Sequence, residues 1–210
     1  MDKSKQAVEV FNLRAEGYME KFMDVSLYGE SFDFFCDATK KQQAQVLEVA
    51  CGPGNITRYL LNKRPDFRIL GIDLAPKMLE LATKNNPAAK FQLLDGREIN
   101  KLQKKYDAIM CGFCFPYFSK EEAIKFIADA KYVLNKNGIL YISTMENDYE
   151  KSGLQKGSAG DEIYIHYHEE KYLKDALLKN DFSFLKTERI GSIMGNGEAV
   201  TDLILIAQKN

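Results

Sequence analysis

A chain of 210 residues with 45% hydrophobic and 28% charged residues can bury a sizeable core, as one α/β domain or a small domain with additions, and this composition argues against disorder. Lys plus Arg (29) nearly balances Asp plus Glu (30), for a formal net charge of -1, so no nucleic-acid partner is expected through a broad basic face. The N-terminus is charged and then amphipathic without an apolar signal region, and no stretch approaches a membrane span. With only Cys36, Cys51, Cys111 and Cys114, the simplest setting is reduced and cytoplasmic.

From Ala7, apolar residues recur at helical spacing through Phe11, Ala15, Tyr18 and Phe22, which predicts one amphipathic stripe. The aromatic segment from Ser31 to Asp37 reads as a second short helix. Gln45 to Ala50 is a short β-prone run, followed by a glycine turn and a helix from Asn55 to Lys63, with Pro65 as a stop. Arg68 to Asp73 reads as a second strand. A helix follows from Pro76 to Lys84, with proline in its allowed first turn. Lys90 to Asp95 and Tyr106 to Phe113 read as the third and fourth strands.

Ser119 and Glu122 have capping-box spacing and open a helix through Leu134, after which Gly138 to Met145 reads as a fifth strand. This alternation predicts a mostly parallel sheet with helices on both faces. Glu146 to Gly160 reads as a polar surface loop, and Glu169 to Asn180 as a helix. Phe182 to Ile190 and Ala199 to Gln208 read as strands, joined too closely for a parallel crossover, so they pair antiparallel.

The chemistry centres on the turn after the first strand. Gly52 and Gly54 lack Cβ atoms, so a ligand can approach the backbone and the turn can be tight. Asp73 ends the second strand about twenty residues on, where a carboxylate can accept hydrogen bonds from ribose hydroxyls. A helix-packing turn with a surface Asp is the plain alternative. No third glycine completes a pyrophosphate fingerprint. Asp95 ends the third strand, where its carboxylate can meet an adenine amino group. Three ligand corners at successive strand ends suit a compact nucleoside better than a dinucleotide. Cys111 and Cys114 form a CxxC, but no second pair or nearby His completes a zinc site, so burial is the expected role and no metal is expected.

Between about Val46 and Met145 the sequence resembles the class I S-adenosylmethionine-dependent methyltransferases of the small-molecule type. The resemblance rests on Glu48-Val-Ala-Cys-Gly52-Pro-Gly54, on Gly71-Ile-Asp73-Leu74-Ala-Pro-Lys-Met78, on Asp95-Gly96-Arg97 and on Tyr106-Asp107-Ala-Ile-Met-Cys111-Gly112-Phe113. It implies an α/β, Rossmann-like, seven-stranded, mostly parallel sheet with an antiparallel final strand and an N-terminal helical addition. The whole chain is then one domain: a helical cap over 1–40, a cofactor-binding core over 45–145, and an acceptor-side loop, helix and antiparallel strand pair over 146–210.

S-adenosyl-L-methionine is the implied cofactor. The backbone at Gly52 and Gly54 would face its methionine part, Glu48 would orient the amino end, and Asp73 would hold the ribose. Leu74 and Met78 would line the adenine, Asp95 and Gly96 its edge, and Cys111 with Phe113 would approach the sulfonium. Plainer roles stand beside these: Glu48 as a backbone cap, Met78 as core, Asp107 as a partner of local backbone. Tyr18 reads either as a core aromatic or as a cover over the cofactor.

Methyl transfer from a sulfonium is mainly a matter of positioning, with proton removal for some acceptors and no metal required. The variable segments supply an aromatic rim of Tyr18, Tyr28, Phe115, Pro116, Tyr117, Tyr164, His166, Tyr167 and His168, suited to a small, partly apolar or aromatic acceptor. Period-two spacing would put His166 and His168 on one strand face, with His166 the better candidate base and a solvated histidine the alternative. Phe113-Cys-Phe-Pro116-Tyr117 departs from the Asn/Asp-Pro-Pro-Tyr/Phe run of amino-group methyltransferases, and the acid cluster of catechol-type enzymes is not recognisable. The expected function is methyl transfer by in-line displacement to an O or N atom, less so C, of a small molecule. The alternatives are a non-catalytic nucleoside-binding module and an NAD(P)-dependent oxidoreductase, which would want a third glycine and a parallel sixth strand.

Overall fold

The computed structural model describes residues 3–156, 160–193 and 199–210. In chain order the elements are α1 (Lys3–Leu13), α2 (Ala15–Phe22), α3 (Gly29–Ala38), β1 (Gln45–Val49), α4 (Asn55–Lys63), β2 (Arg68–Asp73), α5 (Pro76–Asn85), β3 (Lys90–Leu93) and β4 (Tyr106–Cys111). They continue with α6 (Lys120–Val133), β5 (Leu134–Glu146), β6 (Gly153–Lys156), β7 (Glu162–Ile165), α7 (Glu170–Lys179), β8 (Phe182–Ile193) and β9 (Ala199–Lys209).

Seven strands form one sheet in the order β3-β2-β1-β4-β5-β9-β8. Every neighbour from β3 to β5 is parallel, and β9 runs against both β5 and β8, so β9 alone opposes the sheet. This is the expected Rossmann-like arrangement with its antiparallel final strand.

The central strands are apolar on both faces, as a sheet covered by helices requires. Leu47, Val49, Ile109, Leu140 and Ile142 pack toward α6 and α7, and Val46, Ala108, Met110 and Tyr141 pack toward α3 and α4. Ser119 and Glu122 make the reciprocal capping box that starts α6. A third cluster joins Ala15 with Ala75 and Met78, so the N-terminal helices seat on α5.

Two expectations are corrected. The N-terminal stripe is not one helix: it breaks at Arg14, whose guanidinium reaches Asp161 at 2.8 Å. Nor is Glu146 to Gly160 a plain loop, because β6 pairs antiparallel with β7 in a separate two-stranded sheet. At four residues each, those strands are too short for apolar alternation to reveal them.

Candidate functional site

The parallel strands β1, β2 and β4 end at one edge, and a cavity opens there beneath α1 and α2. Counted together with the open solvent at its mouth, the space spans about 980 Å³. Its floor begins at the turn after β1. Gly52 (φ 52°) and Gly54 (φ 81°) take left-handed conformations that favour glycine. Cys51 N–H donates to the Ile72 carbonyl, which ties the turn to β2.

Asp73 holds the corner between this turn and α5. Its Oδ2 accepts from Gly52 N–H at 2.9 Å and its Oδ1 accepts from Ala75 N–H at 2.8 Å. Each oxygen keeps a lone pair for a ligand. Burial raises its pKa, and the backbone donors oppose that rise. Beside it, Arg97 closes on Asp95 at 2.6 Å and on Glu122 Oε1 at 3.0 Å, tying the third corner to the start of α6.

Aromatic rings roof the cavity. Phe11 stands edge-on to Tyr18 at 5.7 Å and to Tyr117 at 5.2 Å. Burial, with Asp73 nearby, pushes the Tyr18 hydroxyl up to about 12, and burial raises Tyr117 further, so both stay neutral donors. The roof is fastened at its rim. Lys77 N–H donates to Asn12 Oδ1, Asn55 Nδ2 donates to the Phe22 carbonyl, and Gln6 Nε2 donates to the Glu162 carbonyl.

Of the residues named from sequence as cofactor contacts, Tyr18, Gly52, Asp73, Leu74, Met78, Asp95, Gly96 and Phe113 line this cavity. Three do not, and each has a physical reason. Gly54 sits under α5, where Asn86 Nδ2 donates to its carbonyl at 2.9 Å. Cys111 points into the core, and Gly112, Phe113 and Cys114 form the wall in its place. Glu48 lies beneath the turn at 1% exposure; Thr57 Oγ1 donates to its Oε2 at 2.5 Å, and Oε1 has no partner among the described residues. Burial raises its pKa to about 8, more than the Thr57 contacts lower it.

His166 does not line the cavity either. β7 ends at Ile165, so the two histidines do not share a strand face. The His166 ring stacks on Tyr149 at 5.9 Å, and the His166 backbone N–H donates to the Pro116 carbonyl. His168 is structural: Nε2–H donates to the Phe115 carbonyl at 2.8 Å, which leaves Nδ1 to accept from the Tyr172 hydroxyl. Burial holds its pKa near 4, so the ring is neutral. Both histidines thereby brace the segment carrying Tyr117. Among the lining residues that sequence reading left unassigned are Val8, Phe11 and Arg97. Phe11 carried the signal of the helical stripe, and Arg97 that of its Asp95-Gly96-Arg97 run.

Comparison with known proteins agrees with this architecture. Residues 46–138 match the family model of a methyltransferase domain. Over 85 residues the chain is 38% identical to a malonyl-[acyl-carrier protein] O-methyltransferase of Acetivibrio thermocellus, covering 40% of this chain and 30% of that protein. Over 98 residues it is 33% identical to a demethylmenaquinone methyltransferase of Thermotoga maritima, covering 47% of this chain and 42% of that protein. The chain thus spans less than half the length of these two relatives. The crystal structure of magnesium protoporphyrin IX methyltransferase from Synechocystis PCC 6803 with bound SAH superposes over 100% of both chains, with a TM-score of 0.75 at 16% identity.

Proposed function

We propose that this chain, a class I S-adenosylmethionine-dependent methyltransferase by family match and fold, binds S-adenosyl-L-methionine in the cavity and transfers its methyl group to an O or N atom of a small molecule. The observation that carries the reading is the convergence of Gly52, Asp73 and Asp95 at three strand ends around one cavity.

The residues fit the cofactor. The unpartnered Oε1 of buried Glu48 lies beneath the turn, and a Cβ on Gly52 would meet nothing nearer than Tyr18 Cε1 at 3.9 Å, so the open space above Gly52 is bare backbone's to offer. Asp73 would hold the ribose hydroxyls, Leu74 and Met78 the adenine face, and Asp95 with Gly96 its edge. Gly52 backbone would take the methionine end, with Glu48 supporting it from below. The cofactor supplies a methyl group already activated on a sulfonium. The chain's task is then to align an acceptor, exclude water beneath Phe11 and Tyr18, and accept a proton where the acceptor carries one. The aromatic rim favours a partly apolar acceptor. The four unpaired, buried cysteines support a reducing, cytoplasmic setting. No helix among the described residues is long and apolar enough to cross a membrane.

Calorimetric titration with S-adenosylmethionine, S-adenosylhomocysteine and NAD tests the reading. Both sulfur ligands are expected to bind, and Asp73→Ala to weaken them by about 10- to 100-fold, the loss of charge-assisted ribose bonds. Binding of NAD alone would sink it.

A further inference from the structure

Tyr117 carries a hydroxyl that the cofactor reading leaves unused. It sits on the short turn Phe115–Tyr117 after β4, and that turn is fixed from two sides. The His166 backbone N–H holds the Pro116 carbonyl and His168 Nε2–H holds the Phe115 carbonyl, each at 2.8 Å. Tyr117 N–H closes the turn on the Cys114 carbonyl at 3.0 Å. The ring then stands edge-on to Phe11 and lines the cavity. Its hydroxyl has no hydrogen-bond partner among the described residues, so it is left to the cavity. A phenol held by its backbone and unpaired at its tip is a donor already placed for a ligand.

Strand order indicates which part of the reacting pair this donor meets. In the sheet β3, β2, β1 and β4 are successive neighbours, so Asp95, Asp73 and Gly52 run in that order toward β4. Adenine, ribose and the methionine end follow the same order in the reading above. The segment after β4 comes next, on the acceptor's side of the methyl group. Six titratable side chains line the space: Tyr18, Asp73, Asp95, Arg97, Cys114 and Tyr117. Asp73 holds the Gly52 and Ala75 N–H groups and keeps its remaining lone pairs for the ribose. Asp95 accepts from Arg97 with both oxygens. Burial keeps both phenols protonated, and contact with Cys111, together with burial, keeps the Cys114 thiol so. Among the described residues no lysine or histidine lines the space. An acceptor that must shed a proton as it attacks finds no side chain here to take it, whereas a carboxylate has none to shed.

We propose that the acceptor is the carboxylate of an apolar or aromatic acid, and that Tyr117 Oη donates to one of its oxygens while the other attacks. The proposal rests on the methyl-transfer reading above. The attacking oxygen's lone pair forms the bond to the methyl carbon as the carbon–sulfur bond breaks, both electrons of that bond staying on sulfur. An ester and a thioether result, and no proton is lost or gained. Charge cancels as the bond forms, so water exclusion beneath Val8, Phe11 and Tyr18 favours this transfer. Asp73 opposes an anion here, but the ribose stands between them. The attacking oxygen comes within a methyl group of the sulfonium, and the shorter separation dominates.

The test uses the full chain and three probes of one shape: benzoate, benzyl alcohol and benzylamine. The chain is first saturated with sinefungin, an analogue with an ammonium in place of the methylated sulfonium. Calorimetry should then show benzoate binding at least about tenfold more tightly than either other probe. Tyr117→Phe keeps the ring against Phe11 and should weaken benzoate by about 10- to 100-fold, the loss of a hydrogen bond to a charged group, with sinefungin affinity unchanged. With S-adenosylmethionine, benzoate should yield methyl benzoate at a rate flat between about pH 6 and 7.5, because it is ionised throughout. Four results would overturn the proposal: benzyl alcohol or benzylamine binding as tightly as benzoate, unchanged benzoate affinity in Tyr117→Phe, a benzoate rate that climbs with pH, or no benzoate binding to the natural chain. Failure of S-adenosylmethionine and S-adenosylhomocysteine themselves to bind would instead overturn the reading on which it rests.

Discussion

The two glycines of the turn after β1 look equivalent in sequence, and substitution should separate them. In Gly54→Ala the new methyl would overlap Asn86 Nδ2 outright and come within 3.2 Å of Ala82 Cα, which is helix backbone and cannot swing away. The left-handed φ of 81° adds about 1–2 kcal/mol for a residue with a Cβ. Displacing Asn86 forfeits its bond to the Gly54 carbonyl and the longer one to Ala82, roughly 1 kcal/mol each. The expected loss is about 3–4 kcal/mol of unfolding free energy. Gly52→Ala meets nothing closer than 3.9 Å, so it should lose only about 1–2 kcal/mol while placing its methyl in the cavity and weakening S-adenosylhomocysteine. Urea unfolding and calorimetry read the two effects separately. Gly54→Ala/Asn86→Ala should cost less than the sum of its parts, because the second change removes the overlap. Strict additivity, or a Gly54→Ala protein within about 1 kcal/mol of the natural chain, would refute the reasoning.

Other outcomes follow from the same structure. Glu48, with its folded pKa raised to about 8 from near 4.5, contributes stability that is full below pH 4.5 and is lost as pH rises through 8. His168 acts oppositely, contributing above pH 6.5 and losing that contribution as pH falls toward 4. The Glu48 effect therefore stands clearest between pH 6.5 and 8, where Glu48→Gln should flatten the decline in urea midpoints; an unchanged slope would count against a buried neutral acid. Ser119→Ala removes half of the capping box and should lower stability by about 1 kcal/mol in the same assay. Arg14→Ala cuts the exposed tie between the α1–α2 roof and Asp161, so thermal stability should hardly move. Stopped-flow should then show faster S-adenosylhomocysteine release, and an unaltered release rate would argue that this tie does not hold the roof shut.

Periodicity and punctuation decide much of this protein locally. The bounds of α4, the start of α5 at Pro76 and the opening of α6 at Ser119 agree with the structure, because apolar spacing, first-turn proline and caps act within a few residues. The order of motifs likewise brought Gly52, Asp73 and Asp95 to neighbouring strand ends, since parallel strands with short joins all finish at one edge.

What sequence spacing does not carry is the direction of a side chain once elements pack. Cys111 and Phe113 are two residues apart, yet the positive φ of Phe113 turns the chain so that one is core and the other is wall. His166 follows the end of a four-residue strand that pairs with another four-residue strand, a partnership of tertiary structure too short for a sequence pattern to announce it. Tyr28 and Asp202 lie 174 positions apart and meet only because β9 enters the sheet beside β5. Local sequence determined the strands, helices and glycine turn through short-range sterics and burial. Only the closing of the sheet decided which groups face the cavity, because that depends on pairings between segments far apart in the chain.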